Sequence, residues 1–260
     1  MLKGLLSALG VYKIYEEWLW EQIKDQPKPE HIAIILDGNR RWAQNHSMNT
    51  NEGHYFGADK TETVLRWCLN LGVKTITFYA FSTENFNRSP EEVKEIMGLF
   101  EEKLHKILED DDIRKHKVRV KAIGRLNLLP DNLQELVEKV EEATKDYNDH
   151  FLNIAMAYGG RAEIVDAAKE IAQHIVEGSL SPNEINEEVF EKYLYTSYLP
   201  NQDPDLIIRT SGEERLSGFL LYQSAYSELC FLDVYWPEFR LIDLLRAIRM
   251  YQRRKRRFGK

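Results

Sequence analysis

Residues 31–42, His-Ile-Ala-Ile-Ile-Leu-Asp-Gly-Asn-Arg-Arg-Trp, decide the fold of this 260-residue chain, because an apolar run ends there in a charged turn. Residues 32–36 are wholly apolar and mostly β-branched, which is typical of a parallel strand buried on both faces. Asp37-Gly38-Asn39 then breaks the strand where a helix can begin. Open α/β sheets bind ligands at this carboxyl edge, so the turn is a candidate site.

The turn also has the composition of a phosphate site. Backbone N–H groups of residues 38–41, together with the side chains of Arg40 and Arg41, suit a phosphate or diphosphate. Asp37 suits a magnesium ion that bridges to it. An ordinary strand-to-helix turn explains the same residues equally well, and Asp-Gly-Asn alone does not separate the two interpretations.

Strand-like and helix-like patterns alternate along the rest of the chain. The predicted strands are 32–36, 75–81, 118–123, 152–157 and 206–208, and the predicted helices lie near 57–71, 90–109, 131–147, 161–176 and 239–256. This alternation predicts an α/β fold in a single domain, with a mostly parallel central sheet flanked by helices.

Composition excludes several functional classes. A formal net charge of −7 argues against a nucleic-acid binder, although residues 253–257 form a basic run. Cys68 and Cys230 stand far apart in apolar segments, which predicts reduced core thiols in a cytoplasmic protein and no disulfide. No apolar run reaches the ~18 residues of a transmembrane helix.

Residues 1–28 predict an N-terminal extension ahead of a catalytic domain at 29–260. Apolar and aromatic residues recur through the first 24 positions with helical spacing, before Pro27 and Pro29. The pattern fits a helix packed on the body or on a partner subunit, and it fits equally an amphipathic helix in peripheral contact with a membrane.

The block at 31–42 and four later blocks together resemble the cis-prenyltransferases, the undecaprenyl and dehydrodolichyl diphosphate synthase family. The later blocks are 78–88, 153–161, 205–223 and 224–228, the last leading into Trp236-Pro237. Five blocks in order are far more specific than any one of them. The resemblance spans residues 30–260 and implies the cis-prenyltransferase fold. It also implies a Mg²⁺-dependent condensation of isopentenyl diphosphate with an allylic prenyl diphosphate, forming a cis polyprenyl diphosphate.

The resemblance also implies roles for individual residues. Asp37, Asn39 and Ser82 match catalytic positions, and Asp37 and Glu228 match the metal ligands, Glu228 being contributed across a dimer in some structures. Arg209, Arg215 and Ser217 match the isopentenyl diphosphate site, whereas Arg41, His54 and Arg88 match the allylic diphosphate site. The full set of implied substrate-binding residues is Gly38, Arg40, Arg41, Trp42, His54, Asn85, Phe86, Arg88, Arg209, Arg215, Ser217, Arg257 and Gly259.

Three positions depart from the family pattern. Thr50, in a segment 47–52 interpreted as a polar loop, replaces an arginine that helps to clamp the allylic diphosphate. Ser211 and Gly218 replace a common glycine and asparagine. These changes leave two alternatives beside chain elongation, namely an enzyme with an unusual acceptor, such as an alcohol or a non-head-to-tail condensation, and a non-catalytic partner subunit.

Further features concern assembly and product. Arg257-Phe258-Gly259 resembles a C-terminal motif that reaches across the family dimer, which implies a homodimer. Apolar residues of helix 90–109 fit either the wall of a tunnel for the growing chain or ordinary core packing. The acidic run 109–112 is interpreted as a solvated turn.

Overall fold

Residues 11–254, which the computed structural model describes, contain one sheet of six parallel strands in the order β3-β4-β2-β1-β5-β6. The strands are β1 (His31–Ile35), β2 (Thr75–Tyr79), β3 (Val118–Ile123), β4 (His150–Ala155), β5 (Leu206–Arg209) and β6 (Glu228–Phe231). The helices are α1 (Val11–Ile23), α2 (Asn39–Asn45), α3 (Thr50–Asn70), α4 (Pro90–Glu109), α5 (Asp111–Lys115), α6 (Asp131–Thr144), α7 (Gly160–Val176), α8 (Glu187–Glu191) and α9 (Leu241–Arg253). The predicted α/β class with a parallel sheet is confirmed.

Burial on both faces explains why the strands are apolar. On one face, Ile32 and Ile34 of β1 pack in a large core with Phe78 and Val64. On the other face, Ala33 and Ile35 join a smaller core. All five residues of β1 and all five of β2 are buried, as expected for central parallel strands.

The sheet reverses its strand order at β1. β1 pairs with β2 on one side and with β5 on the other, and Ile35 is level with both Tyr79 and Arg209. Crevices at such switch points lie beyond the carboxyl ends of the strands. Residues that follow Ile35 and Arg209 therefore meet at one place.

Helix α3 begins at Thr50, not near residue 57 as predicted. Asn49 caps it, since its Oδ1 accepts a hydrogen bond from the Glu52 backbone N–H and its own N–H donates to Glu52 Oε2, both at 2.9 Å. This reciprocal pair is a capping box. The interpretation of residues 47–52 as a polar loop is therefore wrong from Thr50 onward.

Strand β6 was not predicted, and other elements shift slightly. Its four residues are too few to show a period. Strands β2 and β4 end two residues earlier than predicted. The acidic run is more than a solvated turn, because Asp110 Oδ1 accepts from the Asp112 backbone N–H at 2.7 Å and caps α5.

Helix α1 packs on α9, the last helix of the described chain. Leu19 and Ile23 are fully buried between them. Arg249 donates to Gln22 Oε1 at 3.0 Å, and Gln252 Nε2 donates to the Ile23 carbonyl at 3.1 Å. The described part of the N-terminal extension is thus docked on the body, while Ile14, Trp18 and Trp20 remain exposed.

Two expectations from composition can be compared with the structure. Cys68 and Cys230 are both buried and free, as predicted. Among residues 11–254, no helix combines the length and the apolar character that crossing a membrane requires.

Because α1 packs on α9, substitutions at two aliphatic residues of α1 should have very different effects on the free energy of unfolding. Leu19→Ala removes a fully buried side chain and should lower the free energy of unfolding by ~2–5 kcal/mol. Ile14→Ala, at a side chain 66% exposed, should change it by ~0.5 kcal/mol or less. Urea unfolding of both variants measures the difference, and equal effects would contradict the packing of α1 on α9.

Candidate active site

A cavity of about 590 Å³ lies between the sheet and helices α3 and α4. One end is polar and opens at the carboxyl edge of β1, β2 and β5. The body is mainly apolar, with a line of charged side chains from Glu62 to Asp112 along one wall. Its apolar lining includes residues of helix 90–109 that could have belonged either to a tunnel or to the core. The polar end is lined by Asp37, Asn39, His54, Ser82, Asn85, Arg88, Arg209 and Ser217, and the body by Ile96, Phe100, Leu104, Ile107, Leu152, Ile154 and Met156, among others.

The backbone of Asp37 is held by Thr210, the first residue after β5. The Thr210 hydroxyl donates to the Asp37 carbonyl at 2.6 Å and accepts from the Asp37 N–H at 3.1 Å. Thr210 is fully buried. This double contact fixes the turn after β1 against the turn after β5.

The carboxylate of Asp37 lies between two guanidinium groups. Arg209 donates to its Oδ2 at 2.7 Å, and Arg41 donates to its Oδ1 at 3.3 Å. Burial is the largest influence on the pKa of Asp37 and raises it, but the hydrogen bond and charge of Arg209, with smaller contributions from Ser211 and Arg41, lower the pKa below its ordinary value. Asp37 is therefore ionised at neutral pH.

Gly38 is required by the tight packing of this turn. Its φ is +107°, and a Cβ placed on it would lie 2.6 Å from Cδ1 of Tyr235. Any side chain would thus be strained and would displace Tyr235. The ring of Tyr235 also lies 5.7 Å from the Arg41 guanidinium carbon.

Ser211 orients Arg41. Its hydroxyl accepts from Arg41 at 2.6 Å, while Glu213 Oε1 accepts from the other terminal nitrogen at 3.3 Å. Ser211 is buried and has a left-handed φ of +79°. A non-glycine residue is rarely found in that conformation, and such strain clusters at functional sites.

Arg209 connects Asp37 to the segment that follows β5. Its second terminal nitrogen donates to Ser217 Oγ at 2.8 Å and to the Arg215 carbonyl. Its buried Nε has no hydrogen-bond partner among the described residues. Arg215 points outward with its side chain 63% exposed and pairs with Glu213. Arg209 and Ser217 thus meet at the cavity, whereas the predicted residues Arg41 and Arg215 are not among those that line it.

Glu92, in the first turn of α4, gathers two of the three residues predicted for the allylic diphosphate, Arg88 and His54, whereas the third, Arg41, lies beside Asp37. Glu92 Oε1 lies 3.0 Å from both Arg88 and His54 and 3.8 Å from Arg40. Burial raises the pKa of Glu92 most strongly, but the hydrogen bond from His54 and the charge of Arg88 bring the pKa below its ordinary value. The pKa of His54 is lowered, chiefly by burial.

Asn39 is wedged against α3 by two glycines. A Cβ on Gly53 would lie 2.4 Å from the Asn39 carbonyl oxygen, and one on Gly57 would lie 2.5 Å from its Oδ1. That Oδ1 is buried without a partner among the described residues. Across the cavity, Asn85 Oδ1 accepts from the backbone N–H of Ser82 at 3.0 Å and positions it.

Some predicted residues do not reach the cavity. Trp42 is buried with its ring 5.0 Å from that of Phe56, and Phe86 packs 4.9 Å from Phe81. Both rings pack against other side chains and are not among those that line the cavity. Arg257 and Gly259 lie outside the described residues.

Glu228 lies at the opposite edge of the sheet from Asp37 within one chain. It is level with Leu206 and hence with Ile32, whereas Asp37 lies beyond Ile35. Three residues of strand span about 10 Å, and the turn adds to this. Glu228 instead pairs with Arg254 at 2.5 Å. One chain therefore does not bring the two predicted metal ligands together.

The sequence did not predict Thr210, Glu92 or Tyr235 as parts of the site. Thr210 directly follows the strand that neighbours β1, and that position was the one available signal. Glu92 occupies the first turn of α4 after Ser89, which by itself indicates helix capping. Their roles arise from contacts distant in sequence.

Comparisons with known proteins show the family to which this chain belongs. A family model described as "Putative undecaprenyl diphosphate synthase" matches residues 35–259. A protein from Methanopyrus kandleri named tritrans,polycis-undecaprenyl-diphosphate synthase (geranylgeranyl-diphosphate specific) is 58% identical over 98% of this chain and 93% of its own length. A protein of the same name from Methanocaldococcus jannaschii is 55% identical over 98% of this chain and 91% of its own.

Two solved structures are also similar. A lavandulyl diphosphate synthase from Lavandula x intermedia, in complex with dimethylallyl diphosphate, has a TM-score of 0.86, is 36% identical and covers 90% of this chain and 99% of its own. A probable undecaprenyl diphosphate synthase from Campylobacter jejuni has a TM-score of 0.72, is 33% identical and covers 90% of this chain and all of its own.

The lowered pKa of Asp37 predicts a pH-dependent contribution to stability. Asp37→Asn leaves Arg209 without its charged partner and should lower the free energy of unfolding by on the order of 3 kcal/mol at neutral pH. Because the pKa is lower in the folded state, this contribution should be complete above the ordinary value of 3.8 and lost as the pH falls through the folded value.

Denaturant unfolding of the parent and Asp37→Asn from pH 7 to pH 3 tests this dependence. The difference between them should hold down to about pH 4 and shrink below it. Asp111→Asn, at a side chain 95% exposed, serves as the control and should follow the parent. A difference that is the same at both ends of the range would contradict the role of Asp37.

Proposed function

We propose that this chain, which belongs to the undecaprenyl diphosphate synthase family of cis-prenyltransferases, elongates geranylgeranyl diphosphate. The enzyme condenses isopentenyl diphosphate with an allylic prenyl diphosphate and forms a cis polyprenyl diphosphate. The choice of geranylgeranyl diphosphate rests on the names of relatives 55% and 58% identical to this chain.

One observation carries the proposal: a cluster of cationic and carboxylate groups opens directly into an apolar cavity. Asp37, Arg88 and Arg209 line one end of the space, and most of the side chains behind them are aliphatic or aromatic. A prenyl diphosphate has the same division, with a polyanion at one end and a hydrocarbon chain behind it. Guanidinium groups bind phosphate oxygens through pairs of N–H donors.

The proposed roles follow the match of each residue to the motifs of the family. Arg41, His54 and Arg88 bind the allylic diphosphate, and Arg209, Arg215 and Ser217 bind isopentenyl diphosphate. The allylic C–O bond breaks as diphosphate leaves with the electron pair, and the double bond of isopentenyl diphosphate attacks the allylic carbon. A proton then passes from the condensed cation to a diphosphate oxygen, and the new double bond forms. Asn39 and Ser82 line the cavity beside these groups and orient the reacting carbons.

The residues present fit a magnesium ion held jointly with substrate. Within residues 11–254 no cluster of three or more His, Cys, Asp or Glu side chains is placed to hold a metal. Mg²⁺, however, is commonly bound by one or two carboxylates together with substrate phosphates and waters. Asp37 supplies an ionised carboxylate at the cavity. The ion would neutralise charge on the departing diphosphate.

We also propose a homodimer. Glu228 and Asp37 lie at opposite edges of the sheet in one chain, so Glu228 can complete a metal site at Asp37 only from a second subunit. The C-terminal Arg257-Phe258-Gly259 would reach the partner's acceptor site in the same assembly.

Peripheral contact with a membrane is proposed for the exposed face of α1. The Arg249 guanidinium lies 5.2 Å from the Trp18 ring, and Lys28 Nζ lies 4.9 Å from the Trp20 ring. Trp18 and Trp20 are 47% and 38% exposed. Exposed aromatic rings beside basic groups suit the headgroup region of an anionic membrane.

The alternative of an unusual acceptor loses its main support. It relied on a polar loop around Thr50, but Thr50 begins helix α3.

Metal-dependent elongation gives the first test. Purified protein with Mg²⁺, geranylgeranyl diphosphate and labelled isopentenyl diphosphate should yield long cis polyprenyl diphosphates, and chelation of the metal should abolish the product. Asp37→Ala should lower turnover at least ~100-fold, because charge on the leaving group loses its stabilisation. Asp111→Ala is the matched control. A folded Asp37→Ala enzyme with near-parental turnover would refute the metal role.

Thr50→Arg tests the position that departs from the family pattern. An arginine at the start of α3 should tighten allylic diphosphate binding by up to about tenfold, equivalent to ~1.4 kcal/mol, and leave the product class unchanged. Steady-state kinetics and mass analysis of products provide the measurement. A prenylated alcohol from the parent that disappears in Thr50→Arg would favour the unusual acceptor instead.

A further inference from the structure

A ladder of ion pairs closes the seam between α3 and α4. Lys103 bonds Glu62 at 2.8 Å and also contacts Asp59, and Lys106 bonds Glu62 at 2.5 Å. Further along, Arg66 bonds Asp112 at 2.9 Å and Asp110 at 3.4 Å. We call these seven residues the seam ladder.

The spacing of the seam ladder shows that the two helices lie side by side in the same direction. Residues 59, 62 and 66 of α3 meet residues 103, 106 and 110 in that order. Steps of three and four residues place residues 59, 62 and 66 on one face of α3 and residues 103 and 106 on one face of α4, and Asp110 directly follows the end of α4. The contacts therefore form a continuous line along the seam.

The seam ladder is also a wall of the cavity. Six of its members line the cavity, namely Glu62, Arg66, Lys103, Lys106, Asp110 and Asp112. Apolar side chains such as Leu65, Leu104 and Ile107 line the space next to them. A hydrocarbon chain that grows from the Asp37 end thus meets apolar surface first and then a line of paired charges.

The cavity is too small for the product expected of this family. An undecaprenyl chain has eleven five-carbon units, hence 55 carbon atoms. A volume of about 590 Å³ leaves roughly 11 Å³ for each of them, well below the ~30 Å³ that one water molecule occupies in the liquid. Growth to that length therefore requires one wall of the cavity to move outward.

The seam is the wall that parts most easily. Arg66 and Lys106 are 45% and 51% exposed, and ion pairs at exposed groups contribute little to stability. Glu62 and Lys103 are 22% and 15% exposed, so their ion pair is screened less by solvent and is the firmest contact of the seam. Opposite them the wall is strand β4, where Leu152 is 3% exposed. Displacing buried aliphatic side chains costs far more than separating exposed ion pairs.

From this geometry we propose that the seam ladder determines product length. The chain grows freely until it reaches the ladder, and each further unit requires the ion pairs to separate and the seam to widen. A weaker ladder should permit longer products. The inference rests on the proposed elongation of prenyl diphosphates, but not on the roles given to the diphosphate-binding residues.

Glu62→Gln is the main test because Glu62 pairs with both Lys103 and Lys106. Lys106→Gln, at a half-exposed position, weakens the same contact if the first variant folds poorly. Mass analysis of products made from geranylgeranyl diphosphate and isopentenyl diphosphate should show a mean length greater by at least one five-carbon unit in each. Salt screens the ion pairs of the seam ladder, so raising the ionic strength should increase the mean product length of the parent. The increase should be smaller in Glu62→Gln, because this variant has already lost two of the ion pairs.

Arg114→Ala is the matched control. Arg114 pairs with Asp111 on α5 at 2.7 Å, and neither residue lines the cavity. Its product lengths should equal those of the parent. Unchanged lengths in both Glu62→Gln and Lys106→Gln, or an equal increase in Arg114→Ala, would overturn the inference. A parent that incorporates no isopentenyl diphosphate at all would instead refute the proposed function.

Discussion

The ion pair between Asp37 and Arg209 is the contact on which the rest of the site depends. It joins the ends of β1 and β5 where the strand order of the sheet reverses. The other terminal nitrogen of Arg209 reaches Ser217, and the other oxygen of Asp37 reaches Arg41. One carboxylate therefore orients two guanidinium groups. Glu213 pairs with both Arg41 and Arg215. The cluster thus holds three guanidinium groups and two carboxylates, which leaves an excess of positive charge for a diphosphate.

Glu92 repeats this arrangement on the opposite side of the cavity mouth. It holds Arg88 and His54 at 3.0 Å, as Asp37 holds Arg209 and Arg41. Two substrates that each carry a diphosphate need two such clusters. The carboxylates fix long, flexible side chains before substrate arrives, which reduces the conformational entropy lost on binding. Positioning by a neighbouring carboxylate is thus common to both halves of the site.

Sequence alone predicted those elements that carry strong local signals. Helix α4 was predicted with its observed bounds because Ser89 and Pro90 mark its start. Strand β3 was also predicted at its observed bounds. The start of α3 was missed, since the Asn49 cap resembled part of a polar loop. In the site, Asp37 could be predicted from its place after β1, but Thr210 could not, because it acts on a residue 173 positions away. Trp42 and Phe86 lie in the expected blocks, yet tertiary packing turns their rings away from the cavity.

The common direction of the helices has an electrostatic consequence. Three helices begin at the site. The first turn of α3 lies against Asn39, and the first turn of α4 holds Arg88 through Glu92. At the start of α7, the N–H of Gly160 donates to the carbonyl of Gly218, next to Ser217. Each helix N-terminus carries about half a positive charge from its aligned peptide dipoles. A chain with a formal net charge of −7 thus presents a positive field at this one edge. Peptide dipoles do not titrate, so this attraction for polyanions persists at any pH at which the helices remain folded.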